Sequence, residues 1–342
     1  ATSNAITVSE DPNWVTNAGN IATIYSSRGT STNVGSALSA TAGAGGGTIN
    51  YVIDSSDTSA TTYFDLGLTS GQITTDASNA LSGILGGGNG PVTETFIAYA
   101  QIDGQETTKK TPRTFNIIVN KPPTGGNHVF TKGSYTYHVF TSTGTFVTYA
   151  DFSGYDIFLV GGGGASQNGS YAGYAGGGGH VTWYDASNTT SGARIISAGN
   201  NSIVVGAGGD HAEDFGDNST GLGLTAYGGN KNTSGTGGGG SADCGKSGKN
   251  INGTPTDYSR GGFVGGSTST EHAGGGAGAG EDGADAGSGD DAGGDGIQIS
   301  WFTLKMLNGY TGSEDDSTGL YFGGGGGGGS GSAHSAKAGG AG

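Results

Sequence analysis

Apolar and polar side chains alternate along short stretches of this chain. Thr48-Ile-Asn-Tyr-Val-Ile-Asp54 and Arg113-Thr-Phe-Asn-Ile-Ile-Val-Asn120 place every second residue on one face and close on Asp or Asn. That is the pattern of a strand with one buried face running into a turn. Runs rich in Val, Ile, Thr, Tyr and Phe, bounded by Gly, Asn, Asp and Ser, predict strands at 5–9, 22–26, 48–54, 64–68, 94–102 and 114–120. The spacing of apolar residues that marks a helix is almost absent. The expected fold class is therefore all-β, with a β-sandwich over residues 1–120. Lys121-Pro-Pro-Thr-Gly-Gly126 then interrupts the pattern, because proline cannot donate to a ladder. Residues 121–134 are expected as a linker, and 135–342 as a second region.

That second region has a different pattern. Tyr135-Thr-Tyr-His-Val-Phe140 and Gly144-Thr-Phe-Val-Thr-Tyr149 read as a hairpin turning through 141–143. Beyond it, each apolar strand runs into glycine. Tyr155-Asp-Ile-Phe-Leu-Val160 meets Gly161 to Gly164, and Gly176 to Gly179 meets His180-Val-Thr-Trp-Tyr184. Asn201-Ser-Ile-Val-Val205 meets Gly206-Ala-Gly-Gly209, and Gly293-Gly-Asp-Gly296 meets Ile297-Gln-Ile-Ser-Trp-Phe302. Of the 77 glycines, 15 lie in residues 1–120 and the other 62 follow. Ordering a glycine costs roughly 0.5–1 kcal/mol more than ordering an alanine, so these tracts fold only if the missing side chain is itself required. Polyglycine-II strands meet that condition. They have no internal hydrogen bonds, so their backbone groups pair laterally, and strands without Cβ atoms approach closely.

The stretch Tyr51, Phe64-Asp-Leu-Gly-Leu68, Gly71-Gln-Ile73, Leu81-Ser-Gly83, Phe96 and Phe115-Asn-Ile-Ile-Val119 resembles the immunoglobulin-like, cadherin-like modules of bacterial surface proteins and phage fibres. From Tyr135 to Phe302 the order hairpin, strand–GGGG–loop–GGGG–strand, strand–GAGG, GGDG–strand resembles the glycine-rich domain of phage tail fibres and other virion proteins. More broadly, the alternation of glycine motifs with loops is similar to the receptor-recognising adhesins at fibre tips. These resemblances imply an immunoglobulin-like sandwich followed by a glycine-rich β/polyglycine-II domain. They also imply a virion structural protein, extracellular, that attaches to a host-surface glycan or outer-membrane protein beside other fibre proteins. The rival is a secreted microbial surface or matrix filament without a receptor role.

A stack held by its backbone leaves the connecting loops free to vary, as recognition requires. The candidate loops are 165–175, 210–218, 230–236, 241–260, 267–273 and 281–291. Within them Tyr171, Tyr174, His211, Phe215, Tyr258 and His272 are the receptor-contact candidates, set among Ser, Asn and Gly. The edges of terminal glycine strands predict self-assembly, as a homo-oligomer and in a fibre as a trimer.

Charge and chemistry narrow the remainder. With 28 acidic and 13 basic side chains the net charge is −15, which disfavours nucleic acid and anionic membranes. A single cysteine, Cys244, excludes an internal disulfide. No apolar stretch reaches the ~20 residues of a membrane span, so no membrane insertion is expected. The chain starts without Met and stops in a glycine tract, which reads as a processed chain or a piece of a longer one. Gly245-Lys-Ser-Gly-Lys249 lacks the first glycine and the strand of a phosphate loop, and the six histidines are scattered. Glu281, Asp282, Asp285, Asp290, Asp291 and Asp295 offer oxygen ligands that suit only structural calcium, yet Gly293-Gly-Asp-Gly-Ile-Gln298 ends in Gln where the calcium nonapeptide has Asp. No catalytic constellation is found, so no enzyme and no cofactor is expected.

Overall fold

The computed structural model describes residues 11–43, 45–88, 90–104, 110–133, 135–151, 153–168, 173–184, 186, 194–210, 215–230, 249–251, 274–285, 292–299 and 320–327. The strand expected at 5–9 lies outside them. The chain divides into two units, Ala1–Pro123 with Thr148–Ala150, and Thr124–Val147 with Asp151–Gly342.

In the first unit the described elements are β1 (Asn13–Trp14), β2 (Gly19–Tyr25), β3 (Asn33–Val34), β4 (Ala40–Thr41), β5 (Ile49–Ile53), the short helix α1 (Thr58–Tyr63), β6 (Phe64–Leu66), β7 (Ile73–Thr75), β8 (Val92–Ile102) and β9 (Lys110–Asn120). One sheet has the order β2-β9-β8-β5, a second the order β3-β7-β6, and β1 pairs with β4. With β3, β5, β6, β7, β8 and β9 counted as strands B to G, the sheets are B-E-D and C-F-G, the immunoglobulin arrangement. β2 adds to the C-F-G sheet by running parallel to its last strand, Ile24 beside Val119. The fold is an immunoglobulin-like β-sandwich.

Its core follows from the alternation. Phe96, Ala98, Ala100 and Ile102 of β8 and Phe115, Ile117 and Val119 of β9 are buried, while the residues between them are more exposed. They share one cluster with Tyr51 and Ile53 of β5 and with Val34, Phe64 and Ile73 of the other sheet. Trp14 meets Phe115 edge-on at 5.2 Å between ring centroids, and its indole N–H donates to the Thr111 carbonyl at 2.9 Å. Gly71 is required where the sheets close. Its φ is +64°, and a Cβ there would stand 2.2 Å from the Leu38 carbonyl oxygen.

The second unit contains β10 (His128–Lys132), β11 (Tyr135–Val139), β12 (Gly144–Thr148), β13 (Ile157–Val160), β14 (Gln167–Asn168), β15 (Gly173–Tyr174), β16 (Val181–Tyr184), β17 (Gly199–Val204), β18 (Ser219–Gly221), β19 (Leu224–Ala226), β20 (Lys249–Ile251), β21 (Ile297–Ile299) and β22 (Leu320–Phe322). Its larger sheets are β12-β17-β18-β19 and β13-β16-β20. Small apolar clusters form around Phe146, Ile196 and Ile203, and around Ile157, Tyr184 and Leu224.

Two sequence expectations change here. Residues 128–132, expected within the linker, are strand β10, which pairs with β11 from His128–Val139 to Lys132–Tyr135. The expected hairpin between 135–140 and 144–149 does not form. Gly133, at φ +62°, permits the tight turn after Lys132, so β11 folds back on β10. The Asn127 side chain then accepts hydrogen bonds from the N–H groups of Thr141 and Ser142, at 2.8 and 3.2 Å. This holds the 141–143 connection and directs β12 to β17, with Val147 bridging to Thr124.

Candidate binding end of the glycine-rich stack

Beyond the strands of the second unit, nine tracts of described residues lie side by side: 161–165, 175–180, 205–209, 215–218, 227–230, 274–280, 281–285, 292–296 and 323–327. Their backbones are bonded to one another, but not as a sheet. Tract 161–165 exchanges hydrogen bonds with four others: Gly161 and Gly164 N–H donate to His180 and Gly177, Gly162 N–H donates to Asp217, and Gly163 and Gly162 C=O accept from Gly209 and Gly229. Tract 175–180 also has four partners, through Asn230, Ala277, Gly326 and the pair just named. A strand in a sheet has at most two.

The directions in which the missing side chains would point repeat every three residues. A Cβ on Gly161 or Gly164 would strike tract 227–230, at the carbonyl oxygens of Tyr227 and Asn230, 2.0 and 2.2 Å away. On Gly162 it would strike Ala207, at 1.9 Å, and on Gly163 it would meet only Gly177 O at 3.8 Å. Gly176 and Gly179 both face tract 161–165, at Gly164 O (2.1 Å) and Gly161 O (1.8 Å). Gly275 and Gly278 both face tract 292–296, at Ala292 O (1.8 Å) and Asp295 O (2.1 Å). A strand would repeat every two. A Cβ landing about 2 Å from an oxygen means that the Cα–H there points at that oxygen from roughly 3.5 Å, the geometry of a Cα–H···O contact. Among the described glycines of these tracts, only Gly323, at φ +78°, needs left-handed backbone. At most of the others glycine is required for space, Gly163, Gly208 and Gly326 having only ordinary contacts at 3.4–3.8 Å.

The direction of each tract decides what lies at its ends. β13 and β22 lead into 161 and 323, β17 and β19 into 205 and 227, while 180, 218 and 296 lead into β16, β18 and β21. Since these tracts are bonded in register, the strands stand at one end of the stack. The connections from 165 to 175, from 210 to 215 and from 285 to 292 open and close at the other end, which is the candidate binding end. β14 and β15 make a two-residue pairing there, Gln167 beside Tyr174 and Asn168 beside Gly173.

Of the receptor-contact candidates, Tyr171, His211, Tyr258 and His272 lie outside the described residues, as does Cys244. Tyr174 is on β15 at the far end. Phe215 opens tract 215–218 at that end and is 40 % exposed. Two expected loops are in part stack. Residues 215–218 and 281–285 were hidden among acidic residues, yet Gly216 and Gly283 face Gly162 O and Gly275 O at 2.0 Å each. A single glycine suffices there because only every third position faces the neighbouring tract, and Asp217 and Asp282 stay exposed. Asp210 and Asp285 are exposed at the far end. Among the described residues no group of three His, Cys, Asp or Glu stands close enough to hold a metal ion. No described helix is long and apolar enough to cross a membrane.

No protein-family model matches this chain, and no curated protein matches it. Among solved structures it is similar to the third cadherin domain of human protocadherin 7, at 18 % identity and a TM-score of 0.26, over 35 % of this chain and 95 % of that one. It is also similar to mouse clustered PcdhgC3 EC1-3, at 16 % identity and 0.25 over 33 % of each chain. Mouse Cadherin-23 EC22-24 matches at 11 % identity and 0.24, over 58 % of this chain and 60 % of that one. The chain thus spans a third of the length of the PcdhgC3 structure. At these scores the likenesses carry no argument, and the sandwich assignment rests on strand order.

Proposed function

We propose that this chain is an extracellular, non-enzymatic attachment protein, part of a bacteriophage tail fibre or receptor-binding tip. Its second unit is a polyglycine-II stack that presents variable connections to a host-surface glycan or outer-membrane protein. The observation that carries this reading is the three-residue repeat of tracts with up to four neighbours, with their connections gathered at one end. A scaffold stabilised by backbone pairing places little demand on its connections, so these can change while the stack stays. Aromatic and acidic residues at that end, Phe215, Asp210 and Asp285, suit a sugar face or a cationic patch better than phosphate.

The purified, fluorescently labelled chain is expected to bind a subset of a panel of Gram-negative cells or of their isolated lipopolysaccharides. Phe215→Ser, together with replacement of 211–214 by Gly-Ser, is expected to leave the thermal midpoint within a few degrees. The same change should reduce binding at least about tenfold, as loss of a central contact does. Unchanged binding by a folded variant would remove the far end from recognition, and binding to no surface would favour a filament without a receptor role.

Assembly is the second part of the reading. Light scattering on the purified chain is expected to give three times the mass of one chain, because an edge strand offers its backbone groups to a neighbouring copy. A single-chain mass across the concentration range would count against the trimer.

A further inference from the structure

His180 stands where tract 175–180 becomes β16, and its backbone joins three elements. Its carbonyl accepts from Gly161 N–H at 2.9 Å, and its own N–H donates to the Tyr227 carbonyl at 2.9 Å. The side chain is 5 % exposed and meets the Tyr227 ring edge-on, at 5.8 Å between centroids. Tracts 161–165, 227–230, 274–280 and 323–327 surround this joint, and their one titratable side chain is Tyr227. β13 contributes only apolar residues, and Lys249 of β20 stands opposite Val181, the next residue along. No carboxylate in these segments offsets a positive imidazole.

We propose that His180 is a pH-sensitive latch: once protonated, its ring cannot remain in this joint, and mild acid releases β16 from tracts 161–165 and 227–230. Burial already holds the imidazole below its ordinary pKa. With the folded value lower than the unfolded one, the neutral ring's contribution is fully present above about pH 6.5 and is lost as the pH falls below it. Tight backbone packing makes the response local and large, since the tracts have no side chains with which to adjust. The latch concerns the stability of the stack and does not depend on any receptor.

Hydrogen exchange read by mass spectrometry on the full chain, at pH 7.5 and 5.5 and corrected for intrinsic rates, tests it. Peptides across 157–168 and 173–184 are expected to lose protection at the lower pH, by up to about tenfold because pH 5.5 lies about one unit below the ordinary imidazole value, while peptides across β8 and β9 keep theirs. His180→Gln and His180→Phe, neutral at both pH values, should show no such loss. The latch is overturned if wild-type protection is the same at both pH values. It is also overturned if the folded variants lose as much as wild type, which would assign the effect to other groups. If one variant does not fold at pH 7.5 the other decides, and a flat wild-type response decides alone.

Discussion

Gly179→Ala is expected to unfold the glycine-rich stack, whereas Gly163→Ala leaves it intact. The two glycines belong to adjacent tracts and differ only in direction. A Cβ on Gly179 would stand 1.8 Å from Gly161 O and 2.5 Å from its carbonyl carbon. Gly161 cannot retreat, because its N–H is bonded to His180 and its own Cα faces Tyr227 O. Relief requires separating two tracts and breaking the hydrogen bonds between them, each worth about 1 kcal/mol net. Overpacking alone costs typically 1–3 kcal/mol. The sum, at least about 3 kcal/mol, is a large share of the 5–15 kcal/mol that holds a domain folded. Gly163 is exposed, and its Cβ would have only an ordinary contact at 3.8 Å. Alanine there restricts the unfolded chain and is expected to be neutral or stabilising by up to about 1 kcal/mol. Urea unfolding, followed by exchange in peptides across 157–168 and 173–184, distinguishes the two. Equal behaviour of the variants would mean that glycine serves flexibility in these tracts and not space.

Phe115→Ala is expected to have the largest effect on the first unit. The ring is fully buried, edge-on to Trp14 and 6.0 Å from Phe96 between centroids. It sits in the strand that pairs with both β2 and β8, so the cavity opens where the two sheets share their core. Removal of a buried phenylalanine costs about 3–5 kcal/mol. For a unit of this size the thermal midpoint should fall by at least about 10 °C. Calorimetry on the full chain, with exchange across β8 and β9 to assign the transition, measures it. A shift of only a few degrees would mean that the core around Phe115 is less closely packed than its burial implies.

The longer strands were readable because the pleat imposes a period of two, which 48–54 carries in its apolar residues and which 94–102 and 114–120 carry on their buried faces, Phe96, Ala98, Ala100 and Ile102 and Phe115, Ile117 and Val119. They correspond to β5, β8 and β9. β1, β3, β4 and β7 were not read, since two or three residues hold no period. The helix α1, Thr-Ser-Ala-Thr-Thr-Tyr, has no helical pattern either, and only Ala60 of it is buried. The misread hairpin shows how local cues mislead. Both 135–140 and 144–149 are strands, but which strand pairs with which depended on Gly133 and on the Asn127 side chain bonding to Thr141 and Ser142.

The amino-acid sequence by itself determined that the chain is all-β, that a sandwich precedes a glycine-rich region, and that glycine in that region is needed for more than flexibility. These are properties of period and composition, and they act residue by residue. Only the tertiary structure decided which tracts are neighbours, that residues 215–218 and 281–285 belong to the stack, and that connections far apart in the chain reach the same end. Glycine has no side chain to encode a partner. The identity of each neighbour is set instead by the strands that aim the tracts, and by the backbone groups left to pair once they are side by side.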